Sequence, residues 1–349
     1  MASFADDGGR SPFLPLDPLS FFPSPLSFLS KQQQQQKTNP SQGPGIDVTP
    51  HQFQYQVSAE EAEAAERDKK SDDLTADVSA SVHGSAGSLA AALAAALLEA
   101  ASAAVAERGH FTVAVSGGSV LDLLAEGLKG KNVDFSKWTV ALADERLVSD
   151  ESADSNLRAA RAALPALFNN ASSVVVPFTE TSGGTAGAAT EFEGALRRLP
   201  ASVLPRRGGG GEGSNDLPVF DAVVLGLGPD GHVASLFPNH PATAIADGRW
   251  VVPVEGAPKQ PPRRVSLSLP VLRAARDVVI AASGLGKASA VQRALEVQAL
   301  PGAVPAQMVR PLPPSSPGAR VRWMVDADAG SLLRPQTWED GKAWPRSAV

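Results

Sequence analysis

Residues 220–238, FDAVVLGLGPDGHVASLFP, change character in the middle. The first part, Phe220 to Leu225, is a short apolar run rich in β-branched residues, which reads as a buried strand. Gly226-Leu227-Gly228-Pro229-Asp230-Gly231 then stops it, because glycine and proline break regular structure. His232 follows directly. A buried strand running into a glycine loop with polar residues is the arrangement of open α/β sheets, where ligands bind beyond the carboxyl ends of strands.

The flanking sequence repeats the theme. Phe111 to Val115 (FTVAV) is a strand ended by Ser116-Gly117-Gly118-Ser119, and Leu121 to Leu128 resumes helical spacing. Trp138 to Ala143 is a second strand and ends at Asp144-Glu145-Arg146. Val174 to Pro177, Val265 to Leu269, Val278 to Ala282 and Val321 to Val325 read as further strands. Helical spacing covers Asn156 to Leu167, Ala186 to Leu199 and Lys287 to Leu300. Ser88 is the expected N-cap of an alanine- and leucine-rich helix that ends near Gly109. Strands alternating with helices give an α/β fold around a mostly parallel sheet. There is no internal repeat.

The chain has 349 residues, 43% hydrophobic, with a formal net charge of −6 and no cysteine. A sizeable core is available, and disulfides, thiol nucleophiles and Cys-based zinc sites are excluded. The acidic balance argues against a nucleic-acid partner, although a few local cations suffice for one phosphate. No apolar run reads as a membrane span; Leu89 to Ala106 is mostly alanine. Residues 1–71, with Gln32 to Gln36, lack any sustained period and are expected to be a disordered tail. A targeting peptide is the alternative reading, opposed by Asp6, Asp7 and Asp17. The globular part is expected over residues 72–335, with a flexible Gly-rich loop insertion at 201–218 and a tail at 336–349.

Three polar clusters follow predicted strands and converge on one expected pocket. Ser116 to Ser119 is either a tight turn or a backbone nest for an anion, helped by the positive end of the next helix. Asp144-Glu145-Arg146 is either a solvated strand end or a phosphate grip through the planar guanidinium. His232 is the candidate general base, as histidine moves protons near neutral pH. The other histidines, His51, His83, His110 and His240, read as structural or incidental. No metal-ligand spacing and no G-x-S-x-G elbow are present, so a base acting on water is favoured over metal or serine chemistry.

These segments resemble the 6-phosphogluconolactonases. The resemblance rests on SGGS at 116–119, WTVALADERLV at 138–148 and FDAVVLGLGPDGHVASLFP at 220–238. RRVSLSLPVLRAA at 263–275, GLGKA at 284–288, PAQMVRP at 305–311 and RWMVDADA at 322–329 follow in the same order. It implies a three-layer α/β/α fold similar to glucosamine-6-phosphate deaminase and ribose-5-phosphate isomerase. It also implies hydrolysis of 6-phospho-D-glucono-1,5-lactone in the oxidative pentose phosphate pathway, with no cofactor or metal. On this resemblance His232 is the base and Asp230 positions it. Arg146 and Lys287 hold the phosphate beside Gly117, Gly118 and Ser119, with Asp144, Gly228 and Arg264 at the pocket, Arg264 on its rim. Val120, Leu121, Val233 and Arg273 depart from the family's commonest residues without removing a proposed catalytic group.

The expected partner is the small sugar-phosphate lactone, with no nucleic acid and no membrane, in a cytoplasmic monomer or small homo-oligomer; a plastid is the alternative compartment. Two other readings compete: a glucosamine-6-phosphate deaminase-like isomerase, and a non-catalytic sugar-phosphate-binding paralogue. The first is opposed by Ser235-Leu236-Phe237-Pro238, where deaminases continue with Asn-Glu-Pro.

Overall fold

The computed structural model describes residues 77–177, 183–208, 216–297, 299–311 and 319–334. The expectations for the tails at 1–71 and 336–349, and for most of the Gly-rich run, lie outside these residues.

Seven parallel strands form the central sheet. They are β1 (Asp77–His83), β2 (Phe111–Val115), β3 (Trp138–Leu142), β5 (Ser173–Val175), β8 (Ala222–Gly226), β11 (Asp277–Ala282) and β12 (Arg320–Asp326). Their spatial order is β1-β12-β11-β8-β2-β3-β5. From β2 the chain moves outward through β3 to β5, then returns to the other side of β2 and moves outward through β8, β11 and β12. The reversal leaves a crevice beyond the ends of β2 and β8, the usual ligand position in such sheets.

Alternation along the strands loads both faces. Val113, Val115, Val140, Leu142 and Val224 pack on one side, Ala114, Ala141, Val223 and Leu225 on the other. The first side is covered by α1 (Ala86–Arg108), α2 (Ser119–Leu128), α3 (Asn156–Ala163) and α4 (Pro165–Asn170). The second is covered by α5 (Gly184–Arg198), α6 (Leu269–Ala274), α7 (Ala288–Glu296) and a small antiparallel sheet. That sheet runs β4-β10-β9, from β4 (Asp144–Arg146), β10 (Arg264–Leu267) and β9 (Val251–Val254). A short helix, α8 (Pro305–Met308), the two-residue strands β6 (Arg206–Arg207) and β7 (Leu217–Pro218), and 3₁₀ turns at Phe135–Lys137, Pro241–Ala244 and Leu285–Lys287 complete the described elements. The three layers match the expected fold class.

Several expectations need correction. Ser85, not Ser88, caps α1: Ser85 Oγ accepts from Ser88 N at 3.1 Å while Ser88 Oγ accepts from Ser85 N at 3.0 Å, so Ser88 is the return half of a capping box. The same helix is long and apolar enough to cross a membrane by length and composition. Here Leu89, Leu93 and Leu97 bury it against the sheet instead. Gly127 lets α2 approach it, since a Cβ there would lie 2.1 Å from the Ala90 carbonyl oxygen.

The helix expected over 156–167 is two helices, because Pro165 starts a second one rather than continuing the first. The helix expected to reach Leu300 ends at Glu296. The Gln307 amide donates to the carbonyls of Ala294 at 3.2 Å and Val297 at 2.6 Å, which caps that end. The 201–218 excursion is anchored at both ends. β6 pairs with β7, Leu204 is fully buried, and Trp250 Nε1 donates to the Asp216 carbonyl at 2.7 Å.

Candidate active site

The loops leaving β2, β8 and β11 surround a half-open cleft, closed on the far side by β4 and β10. Gly117, Gly118, Ser119, Asp144, Arg146, Gly228, His232, Arg264 and Lys287 all line it. Asp230 stands directly behind His232 and completes the expected set.

The loop after β8 is built to present one imidazole. Gly228 N donates to the His232 carbonyl at 2.9 Å and Gly231 N to the Gly228 carbonyl at 2.9 Å, so the loop closes on itself. Gly231 sits at φ +90°, a conformation that only glycine adopts cheaply. The His232 ring lies so close to Gly228 that a Cβ there would fall 2.0 Å from Nδ1. Phe237 packs against the other side of the ring with centroids 4.7 Å apart.

Asp230 Oδ1 is 2.5 Å from His232 Nδ1 and 3.1 Å from Lys259 Nζ. Burial works against its charge, but the bonds from His232 and Lys259 hold the Asp230 carboxyl far below the usual carboxylate range. A carboxylate only accepts, so Nδ1 carries the proton and the basic Nε2 is left for the cleft.

Two arginines occupy the opposite wall. Arg146 and Arg264 are directly opposed across β4 and β10, where like charges repel. Arg146 uses Nη1 on the Asp154 carbonyl at 2.6 Å. Burial, then the charge of Arg146, pushes the Arg264 guanidinium below its ordinary value. Arg264 is not a rim residue, being only 3% exposed. Its Nε and Nη2 donate to the carbonyls of Pro261, Lys259 and Gln260 at 2.9–3.1 Å, so it braces the loop that carries Lys259. Lys287 Nζ donates to the Leu227 carbonyl at 2.7 Å and keeps two N–H bonds for other partners. Burial and the nearby Lys259 charge lower its pKa, opposed by Asp230.

The SGGS turn joins these walls. Ser116 Oγ accepts from Gly226 N at 2.9 Å and ties the ends of β2 and β8 together. Gly118 has φ +84°, and α2 then starts without a side-chain cap, leaving N–H groups of its first turn free for an anion. A Cβ on Gly117 would fall 1.9 Å from Asn156 Oδ1, so glycine is required there by packing.

The Asp144-Glu145-Arg146 triplet is not a solvated strand end, since Asp144 and Glu145 are buried. Asp144 Oδ2 accepts from Ser235 Oγ at 2.6 Å. Glu145 turns away from the cleft and accepts the N–H groups of Asn156 and Leu157, each at 2.7 Å, at the start of α3. Two residues of the site have no sequence signal. Asn156 lines the cleft and donates Nδ2 to the Asp144 carbonyl at 2.9 Å. Lys259 reaches the Asp230–His232 pair from a Pro-rich loop. Among the described residues no cluster of metal-ligating side chains occurs.

A family model described as glucosamine-6-phosphate isomerases/6-phosphogluconolactonase matches residues 84–316. The chain belongs to that family. Its relatives include a probable 6-phosphogluconolactonase 1 of Arabidopsis thaliana, 36% identical over 241 residues, which are 67% of this chain and 86% of that one. Plant relatives include chloroplastic forms: probable 6-phosphogluconolactonase 3 of rice is 35% identical over 234 residues, 66% of this chain and 68% of that one. Among solved structures of the family, the 6-phosphogluconolactonase of Trypanosoma brucei superposes with a TM-score of 0.61 at 28% identity, covering 74% of this chain and all of that one. The matched region contains the three strand-end loops and the cations facing them.

Proposed function

We propose that this chain hydrolyses 6-phospho-D-glucono-1,5-lactone to 6-phospho-D-gluconate, the second step of the oxidative pentose phosphate pathway. One observation carries the reading: a histidine with Nδ1 engaged by Asp230 lines a cleft that also holds Arg146, Arg264 and the open start of α2. The relatives' names point to the same reaction.

Arg146 and Lys287 hold the 6-phosphate with the backbone of Gly117, Gly118 and Ser119, and this remote binding orients C1. His232 Nε2 takes a proton from water as its oxygen bonds to C1. The tetrahedral intermediate then breaks the bond between C1 and the ring oxygen, and the proton passes from Nε2 to that oxygen. Asp230 holds the ring in the productive tautomer throughout. The lactone is already activated, so positioning and one base suffice, and no cofactor enters the scheme.

The catalytic unit is residues 72–335, and its compartment is the cytoplasm, with a plastid the alternative given the chloroplastic rice relative. Kinetics of purified protein test the chemistry. His232→Ala is expected to lower kcat by ~10²–10⁴-fold, the worth of a general base. Arg146→Ala is expected mainly to raise KM, by ~10–100-fold, for the loss of a charged hydrogen bond. Binding of 6-phosphogluconate with no rate above spontaneous hydrolysis would instead indicate a sugar-phosphate sensor, and release of ammonia from glucosamine 6-phosphate a deaminase.

A further inference from the structure

Lys259 sits behind the reacting group rather than in the cleft. Its Nζ donates to Asp230 Oδ1 at 3.1 Å and lies 3.4 Å from His232 Nδ1. Both positions belong to one carboxylate oxygen, which therefore serves an ammonium and an imidazole at once. The placement is built. Arg264, itself buried, holds the carbonyls of Lys259, Gln260 and Pro261, and Ala257 N donates to the Pro262 carbonyl at 2.9 Å to close the loop.

We propose that Lys259 is a positioning residue, which shares Asp230 with His232 and destabilises the imidazolium formed when His232 takes a proton. The inference rests on the lactonase reading above. A base that held its proton too firmly would stall after the attack of water, because the departing ring oxygen must recover that proton. A fixed positive charge beside Nδ1 opposes the imidazolium and drives the proton from Nε2 to the ring oxygen. No further reactant is needed, since the proton taken from water ends on the C5 hydroxyl.

Other charges around the ring do not replace this one. Asp230 is the acid on its own loop. Lys287 lines the cleft from the loop after β11, with its Nζ on the Leu227 carbonyl. Arg264 lies over the Phe237 ring, 5.2 Å from its centroid, and turns its Nε and Nη2 to the carbonyls of residues 259–261. Arg146 and Asp144 line the cleft from β4. Of these cations Lys259 is the one in direct contact with both members of the pair.

The test compares wild type with Lys259→Met and Lys259→Arg, following kcat/KM between about pH 5.5 and 7.5, the range in which histidine titrates. In Lys259→Met the acid limb is expected to move to higher pH by about half a unit to one unit, giving ~3–10-fold loss at the acid end and little at the other. Lys259→Arg is expected to keep the wild-type profile. In parallel, NMR of the His232 ring, assigned against His232→Gln, should show its titration displaced the same way in Lys259→Met. Superimposable profiles and titrations, or an equal loss at every pH, overturn the proposal. Wild type without lactone hydrolysis overturns the lactonase reading instead, and the NMR titration then decides the Lys259–His232 coupling on its own. Lys259→Gln gives the same comparison should the Met variant not fold.

Discussion

The imidazole of His232 is held on three sides, and the tightest of them is a missing side chain. Gly228 has an ordinary negative φ, so alanine is tolerated there by the backbone. Its Cβ, however, would lie 2.0 Å from His232 Nδ1 and 2.7 Å from Asp230 Oδ1. Gly228→Ala is therefore expected to push the ring off Asp230 and out of line with C1. A displacement of about 1 Å costs on the order of 10²-fold in rate. Steady-state kinetics should show that loss in kcat, with KM close to wild type because Arg146 and Lys287, the proposed phosphate ligands, are untouched. Unaltered kcat in a folded Gly228→Ala variant would show that the ring can shift without consequence. The importance of this glycine was legible in the GLGPDGH run. Lys259 was not, because a lone lysine between prolines has no local pattern and acquires its role only when β10 folds against β4.

At the scale of elements, the Asp-Glu-Arg triplet divides its labour by the pleat of β4. Asp144 and Arg146 face the cleft, while Glu145 caps α3 and also accepts from Arg146 N at 2.8 Å. Three charges in a row suggested a solvated strand end, whereas the antiparallel pairing with β10, distant in sequence, buries the first two. The short strands β4 and β9 escaped sequence reading for that reason, whereas the long apolar runs of β2, β3, β8 and β11 were plain. Burial pushes the Glu145 carboxyl above its ordinary value of 4.5, opposed by its backbone hydrogen bonds. A raised carboxyl means that the folded state binds more protons than the unfolded chain, so this residue makes stability fall as pH rises above about 4.5. Glu145→Gln removes that dependence. Urea unfolding of the two proteins between about pH 4 and 7 is expected to show the difference, wild type minus variant, declining with pH. A constant difference would mean that the buried carboxyl titrates alike in both states.

Across the whole molecule, chemistry and cohesion sit at opposite ends of the sheet. The carboxyl ends of β2, β8 and β11 carry the loops of the cleft. The amino ends carry buried ion pairs, with Asp277 between Arg320 and Arg322, and Asp221 just before β8. This division was legible only in part. The order of strands and loops announced the cleft, but the pairing of single charges from remote segments needs the assembled sheet. Asp221, 2% exposed, accepts Thr112 N of β2 at 2.8 Å and Arg108 Nη2 from the end of α1 at 2.5 Å, with Arg276 Nε at 3.8 Å. It thus fastens β2 to β8 at their amino ends, and fixes α1 and the start of β11 to the same point. Its loss would leave the Arg108 guanidinium, whose Nε and Nη1 are already buried without hydrogen-bond partners, without its ion-pair partner. Asp221→Ala is expected to lower stability by about 3–5 kcal/mol, the cost of breaking a buried pair from one side. The cleft lies at the other end of the same strands, so protein that remains folded at low temperature should keep wild-type kcat and KM. Denaturant melts combined with active-site titration separate the two quantities. A large fall in kcat per folded molecule would show that the two ends of the sheet are mechanically linked, and a change in stability below about 1 kcal/mol would show that Arg108 finds water instead.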